Sequence, residues 1–396
     1  MKLKDGIHLT YCTNIHPGED WNTTFDNLKT HLLEVKKKCA PHSSFGIGLR
    51  LSNQASEELG LDQNLSSLKI WLEENNCYVF TINGFPYGNF HRTRVKDKVH
   101  APDWTTTERV SYTIRLFRQL KGLLTPGVDG GISTSPISYK HWHNTNVEEI
   151  FRKGAQNMIE VAFELYQIEK RTGCYLHLDV EPEPDGLLEN TQDVLSFFNN
   201  HLIPEAKLFF GKKGILAEKV DHMVKRYITL CYDVCHFSMA YEEPKNTFET
   251  LKENGIKIGK IQISAALKIH FTEKQNQSVW EALKAYNEPV YLHQVTERKD
   301  GAVKTFSDLP EIFSSKSNFE ELRAHFHVPI FLERFGVLES TQDQILKTME
   351  YLSTHENLTT HLEVETYTWE VLPQSVKLPL VDSIVRELNW VKDTLI

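Results

Sequence analysis

No run of about 18 apolar residues occurs in this 396-residue chain, so nothing in it is built to cross a bilayer as a helix. Clustered basic charge is also scarce. The densest stretches are Lys36–Lys38 and "GKKG" at 211–214, in a chain of formal net charge −9. Nucleic-acid binding needs a broad basic footprint, and none is expected here. The first residues, "MKLKDGIHLTYC", carry neither the apolar block of a secretory signal nor a transit-peptide pattern, so the expected location is cytoplasmic. No G-x-G-x-x-G follows the first strand-like run and no Walker A sequence occurs, which removes the usual motifs of a nucleotide-binding fold. The six cysteines are scattered, and Cys231 and Cys235 stand four apart, which is not a zinc-ribbon spacing. Free buried thiols are expected.

What is present is a rhythm. Short apolar runs alternate with amphipathic segments. Strand patterns fall at 7–15, 45–51, 77–88, 130–138, 174–181, 228–238, 258–267 and 361–372. Helical patterns lie between them, at 23–39, 64–75, 105–124, 146–173 and 340–355 among others. Thr23 or Thr24 is a candidate cap for the first helix, and Gly173 a stop for the long one. Strands separated by helices imply a parallel sheet, and eight such units imply a closed (β/α)8 barrel in one domain, 1–396. The stretch 268–335 breaks the rhythm. It holds a hairpin pattern around Asp300–Gly301 and a further strand pattern at "AHFHVPIFL", so it is expected to be an insertion near the C-terminal end.

The strands themselves are unusual. A parallel strand covered on both faces normally reads as continuous apolar sequence. Here "CYLHLDVEPEP" sets His177, Asp179 and Glu181 on one side and Leu176, Leu178 and Val180 on the other. The same alternation places His8, Thr10, Cys12 and Asn14 together in the first strand, Thr81 and Asn83 in the third, and His361, Glu363 and Glu365 in the last. In a barrel the apolar sets meet the helices, so the polar sets point into the lumen. Buried carboxylates need a proton, a partner or a cation. Converging carboxylates and histidines suit a divalent metal. The rival readings are half-exposed antiparallel strands, or a lumen of hydrogen-bonded ion pairs.

"HLDVEPEPDG" resembles the xylose-isomerase-like barrels, a superfamily of sugar isomerases, sugar-phosphate epimerases and a zinc-dependent endonuclease branch. The resemblance implies that Glu181 is a metal ligand and acid/base group at the end of the fifth strand. It implies that Asp233 and His236, in "LCYDVCH", are ligands from the sixth, and that Glu365 is a second ligand and acid/base group at the eighth. The seventh strand of that family usually supplies a His, where this chain has Gln262 and Ser264. Either Gln262 is a weaker ligand, or His325 or His327 of the insertion fills the place, or the site is remodelled. More narrowly, "LTYCTNIHPGEDW", "INGFPYGNFH", "HFHVPIF" and "HLEVETYTWEVLP" resemble the EboE-type "metabolite traffic" proteins, which implies a bacterial secondary-metabolite pathway.

Asn14, His16 and Asn83 lie at strand C-terminal ends, where barrel active sites are built, and suit sugar hydroxyls. His293 and His325 are further candidates for substrate contact. The leading expectation is a metal-assisted isomerase or epimerase of a polyhydroxylated, sugar- or cyclitol-like metabolite, using Mn²⁺, Mg²⁺, Co²⁺ or Zn²⁺. Alternatives are a non-catalytic metabolite carrier and a metal-dependent AP-endonuclease-like hydrolase, against which the −9 charge argues. The resemblance also leaves room for a homo-oligomer or for cluster-encoded protein partners.

Overall fold

The computed structural model describes residues 1–395 apart from 62, 92–94, 273–275, 316–317, 371 and 373–378. Parts of two expectations, the 268–335 insertion and the 361–372 strand, therefore fall outside the described residues. Seven parallel strands run in sequence: β1 (His8–Tyr11), β2 (Phe45–Arg50), β3 (Cys77–Asn83), β4 (Gly130–Thr134), β5 (Leu176–Val180), β6 (Ile228–Asp233) and β7 (Ile258–Ile263). A six-stranded antiparallel sheet follows, formed by β8 (Leu267–His270), β9 (Val295–Lys299), β10 (Ala302–Phe306), β11 (Glu321–Ala324), β12 (Arg334–Phe335) and β13 (Leu338–Ser340). Then β14 (His361–Val364) enters the first sheet between β7 and β1. The parallel order β1-β14-β7-β6-β5-β4-β3-β2 nearly closes into a (β/α)8 barrel, and β1 meets β2 through the single Cys12–Gly48 bridge.

Every described strand residue of the barrel except Gly259 is buried, which rules out half-exposed antiparallel strands. The apolar sets, such as Leu176, Leu178 and Val180, join the main core against the surrounding helices. The lumen is polar, and glycines make room for it. A Cβ on Gly48 would collide with the Glu363 carboxylate. One on Gly131 or Gly259 would strike the His177–Asp179 pair. Lower in the lumen, Lys260 Nζ donates to Glu363 Oε2 at 2.6 Å and to Ser133 Oγ at 3.0 Å.

Several limits differ from expectation. Asp20, rather than Thr23 or Thr24, caps the first helix, its carboxylate accepting from Thr23 N at 2.8 Å. The run 228–238 is a strand only to Asp233, which then caps a short helix, Val234–Met239. No strand forms at His325–Ile330; β11 ends at Ala324 and the chain continues irregularly over the barrel mouth. The hairpin around Asp300–Gly301 is present, with β9 and β10 paired antiparallel and both turn residues at positive φ. The last helix, Leu380–Thr394, had no counterpart in the sequence reading.

Candidate active site

At the C-terminal mouth, strand ends bring three carboxylates together. Ligand atoms of Glu181, Asp233 and Glu365 all lie within 4.8 Å of one another, and all three residues are buried. Two ionised carboxylates at that separation repel by roughly 3–4 kcal/mol at an effective dielectric near 20. Burial first, and then this mutual repulsion, hold the Glu181 and Glu365 carboxyls well above the usual carboxylate range. Glu181 Oε2 and Asp233 Oδ2 have no hydrogen-bond partner. The other Asp233 oxygen accepts from His236 N at 3.0 Å and Ser264 Oγ at 2.7 Å. The D-x-x-H spacing is thus a helix cap that leaves one carboxylate oxygen aimed into the site.

Three histidines complete the cluster, and their tautomers follow from their partners. His236 Nδ1 donates to Pro182 O at 3.0 Å. His327 Nδ1 donates to Glu365 O at 2.7 Å. His325 Nδ1 donates to Gln294 Oε1 at 2.8 Å, an oxygen fixed in place because Gln294 Nε2 donates to Pro184 O at 2.9 Å. A backbone carbonyl only accepts, so each ring proton sits on Nδ1 and each Nε2 presents a lone pair. Burial keeps all three rings neutral by lowering their pKa. His327 Nε2 has no partner, and Asp233, His236 and His327 form a second group with ligand atoms within 4.8 Å. Unpaired carboxylate oxygens beside ring nitrogens fixed from behind fit a divalent cation in both donor type and orientation.

Glu365 is held from three sides. Asn14 Nδ2 and Asn83 Nδ2 donate to its Oε1 at 2.7 and 2.9 Å, and Gln262 Nε2 donates to its Oε2 at 2.7 Å. Gln262 Oε1 accepts from Cys231 Sγ at 2.9 Å. Gln262 is therefore a donor to the carboxylate rather than a ligand, because both ends of its amide are engaged. The place vacated on β7 is approached by His327 from the irregular segment after β11.

Two candidates lie elsewhere. His16 is outside the cavity: its Nε2 meets Tyr11 Oη at 3.0 Å and its ring stacks on His31. His293 stacks on Phe326 and spends both nitrogens, on His325 O at 2.8 Å and Glu288 Oε1 at 2.6 Å. It supports the chain behind His325 and cannot also bind a substrate. Asn14, Asn83 and His325 do line the cavity.

Sequence reading passed over Glu183, His100, Lys260 and Tyr367. Glu183 meets His100 Nε2 at 2.9 Å beside the cluster, and Tyr367 packs on His327. Three of these continue a period-two series already noted: Glu183 follows Glu181, Tyr367 follows Glu365, and Lys260 precedes Gln262. His100 ends a short 3-10 helix, Lys96–His100, with no such pattern. Phe90 and Tyr291 each pack edge to face on Tyr367 and lie tilted against one another across the mouth, above a cavity of about 60 Å³.

No family model matches the sequence, and no curated protein is similar to it. Among solved structures, a xylose isomerase-like TIM barrel protein from Mycobacterium smegmatis in complex with magnesium superposes with a TM-score of 0.51 at 9% identity, over 99% of this chain and 98% of that one. IOLI protein with a binding zinc atom gives 0.49 at 13% identity, over 98% of each chain. A D-tagatose 3-epimerase-like protein gives 0.49 at 9%, over 98% and 97%. The chain has the fold of the xylose-isomerase-like (β/α)8 barrels.

Proposed function

We propose that this chain is a divalent-metal-dependent enzyme that moves a proton on a small polyhydroxylated, sugar- or cyclitol-like metabolite, as an isomerase or epimerase. The observation that carries this reading is the convergence of Glu181, Asp233 and Glu365 from three strands within 4.8 Å, with oxygens left unpaired in a buried site. These three, with His236, His325 or His327, would hold the cation. A bound cation would supply Lewis-acid stabilisation of charge developing on substrate oxygens.

The chain's own groups do the rest. Glu181, with a free oxygen and a carboxyl raised by burial and by its neighbours, suits proton exchange near neutral pH. Glu365 stands on a strand three places round the barrel from β5, and its three amide donors fix the direction of its oxygens. Proton transfer is thus available from both walls. Asn14 Oδ1, buried without a partner, can accept from a substrate hydroxyl. The aromatic cap excludes water from the reacting carbon. The magnesium complex of the structurally similar barrel supports this reading, and the EboE-type motifs extend the proposal to a place in a bacterial secondary-metabolite pathway.

The test is hydrogen exchange. Loaded with Mn²⁺ or Zn²⁺ and incubated in D₂O with a panel of ketoses and ketocyclitols, the protein should wash deuterium into the carbon beside a carbonyl. Glu181→Gln should abolish that exchange. A fully loaded protein that exchanges nothing contradicts the enzyme reading.

A second reading, a metabolite-holding protein without catalysis, is favoured by the cap. Its cavity of about 60 Å³ is far below the roughly 300–1,000 Å³ of ordinary ligand pockets. Entry of a metabolite by either reading requires Phe90 and Tyr291 to part. Metabolite binding with no exchange at any carbon would select this second reading.

A further inference from the structure

A different cluster lies at the opposite, N-terminal mouth of the barrel. Asp129, in the turn before β4, faces His177 of β5 and His361 of β14, and ligand atoms of all three lie within 4.8 Å of one another. We propose that Asp129, His177 and His361 form a second divalent-cation site, of the zinc type, independent of the one at the C-terminal mouth.

The distances are those of loose ion pairs and also those of shared ligation; the state of His361 favours ligation. Asp129 Oδ2 lies 3.6 Å from His177 Nε2, and Asp129 Oδ1 lies 3.5 Å from His361 Nε2. Both are too long for charge-assisted hydrogen bonds, which close to about 2.7–2.9 Å. They are near the roughly 3.4 Å that separates two ligands of one tetrahedral zinc. His361 is fully buried, yet neither of its ring nitrogens makes a hydrogen bond. His177 is already oriented as a ligand: its Nδ1 donates to Asp179 Oδ1 at 2.5 Å, and Thr229 Oγ1 donates to the same oxygen. A carboxylate behind an imidazole fixes the tautomer and strengthens the far nitrogen as a metal donor. Gly131 and Gly259 clear the space in which this pair stands. Three protein ligands leave a fourth position, which opens on a cavity of about 480 Å³ walled in part by Lys252 and Lys257, an entry path for the ion.

The experiment uses the full chain, stripped with a chelator and titrated with Co²⁺, read by its visible ligand-field absorption. The background is Asp233→Asn with Glu365→Gln, which removes two of the three carboxylates of the C-terminal cluster. The proposal expects this variant to bind one equivalent of Co²⁺, and expects Asp129→Asn added to it to weaken binding at least about tenfold. His361→Ala should do the same. If His361→Ala fails to fold, Asp129→Asn decides, since that side chain is 34% exposed and carries little of the core. A background variant that binds no Co²⁺, or one that binds equally well after Asp129→Asn, overturns the proposal. Failure of the proposed function would show separately, as identical metal content in the wild type and the Asp233→Asn, Glu365→Gln background.

Discussion

His236 Nε2 and His325 Nε2 face each other at 3.1 Å, and both rings carry their protons on the far side. Two lone pairs at that distance repel unless something positive lies between or beside them. Two nitrogens bound to one zinc stand roughly 3.4 Å apart, so a common ion answers the contact. The expected outcome is that His325→Ala lowers the affinity for Zn²⁺ by about 10- to 100-fold or more. Calorimetric titration of the stripped protein measures this, and an unchanged affinity would contradict it.

The donors to Glu365 should act through its orientation. Gln262→Leu keeps the volume of the side chain but removes one hydrogen bond to a buried carboxylate, worth about 1.5–3 kcal/mol when the acceptor is charged. Metal affinity should fall by about 10- to 100-fold, and the metal-free protein should lose stability. Unchanged metal affinity in a calorimetric titration would contradict the role assigned to Gln262.

Lys260 tests the lower lumen. It is fully buried with Glu363, and its pKa is raised because Glu363 and neighbouring thiols outweigh the opposing effect of burial. Lys260→Met strands a buried carboxylate and should cost about 3–5 kcal/mol. Lys260→Met combined with Glu363→Leu should recover most of that loss, as replacing a buried pair by apolar groups often does. Chemical denaturation of the two variants and the parent checks both statements.

Glu387, on the last helix, accepts from Thr366 Oγ1 at 2.8 Å and from Ile330 N at 3.3 Å. It thereby ties together the chain just after Glu365 and the chain just after His327. Burial pushes its carboxyl from 4.5 up to about 8, more than these donors lower it. A folded-state pKa above the unfolded value means that the folded protein binds the extra proton between pH 4.5 and about 8. Stability from this group is therefore fully present below pH 4.5 and declines as pH rises to about 8. Glu387→Gln should gain stability at pH 8–9 relative to the parent, on the order of a few kcal/mol, and little at pH 5, read by thermal melts at both pH values. A gain independent of pH would contradict this.

The fold was legible because the apolar sets of the strands and the helices between them keep separate periods. Leu176, Leu178 and Val180 read as one face, and the residues between them as the other. The same parity marked His177, Glu181, His361 and Glu365 as lumen groups, while Asp233 was marked by the family resemblance of "LCYDVCH". Parity gives the side of a strand but not its height or its partner. For that reason Gln262 could not be told from a ligand, and the difference is one hydrogen bond from its amide to Glu365. His16 sits just past β1 and His293 just before β9, and their rings turn to Tyr11 and Glu288 instead. Asp129 comes from a connection and His100 from a short 3-10 helix, where no strand period exists to reveal them. His327 reaches the barrel from an irregular segment after β11, a contact across the insertion that local sequence does not encode.

Elemental analysis gives the most direct test of the central claim, that the C-terminal mouth is a divalent-cation site. The Asp129→Asn protein, with its N-terminal cluster disabled, is loaded with excess Mn²⁺ or Zn²⁺, passed through gel filtration and measured beside a form that also carries Glu181→Ala and Asp233→Ala. The account predicts stoichiometric metal in the first and loss of that metal in the second. Absence of bound metal from the first, or equal metal in both, would contradict it.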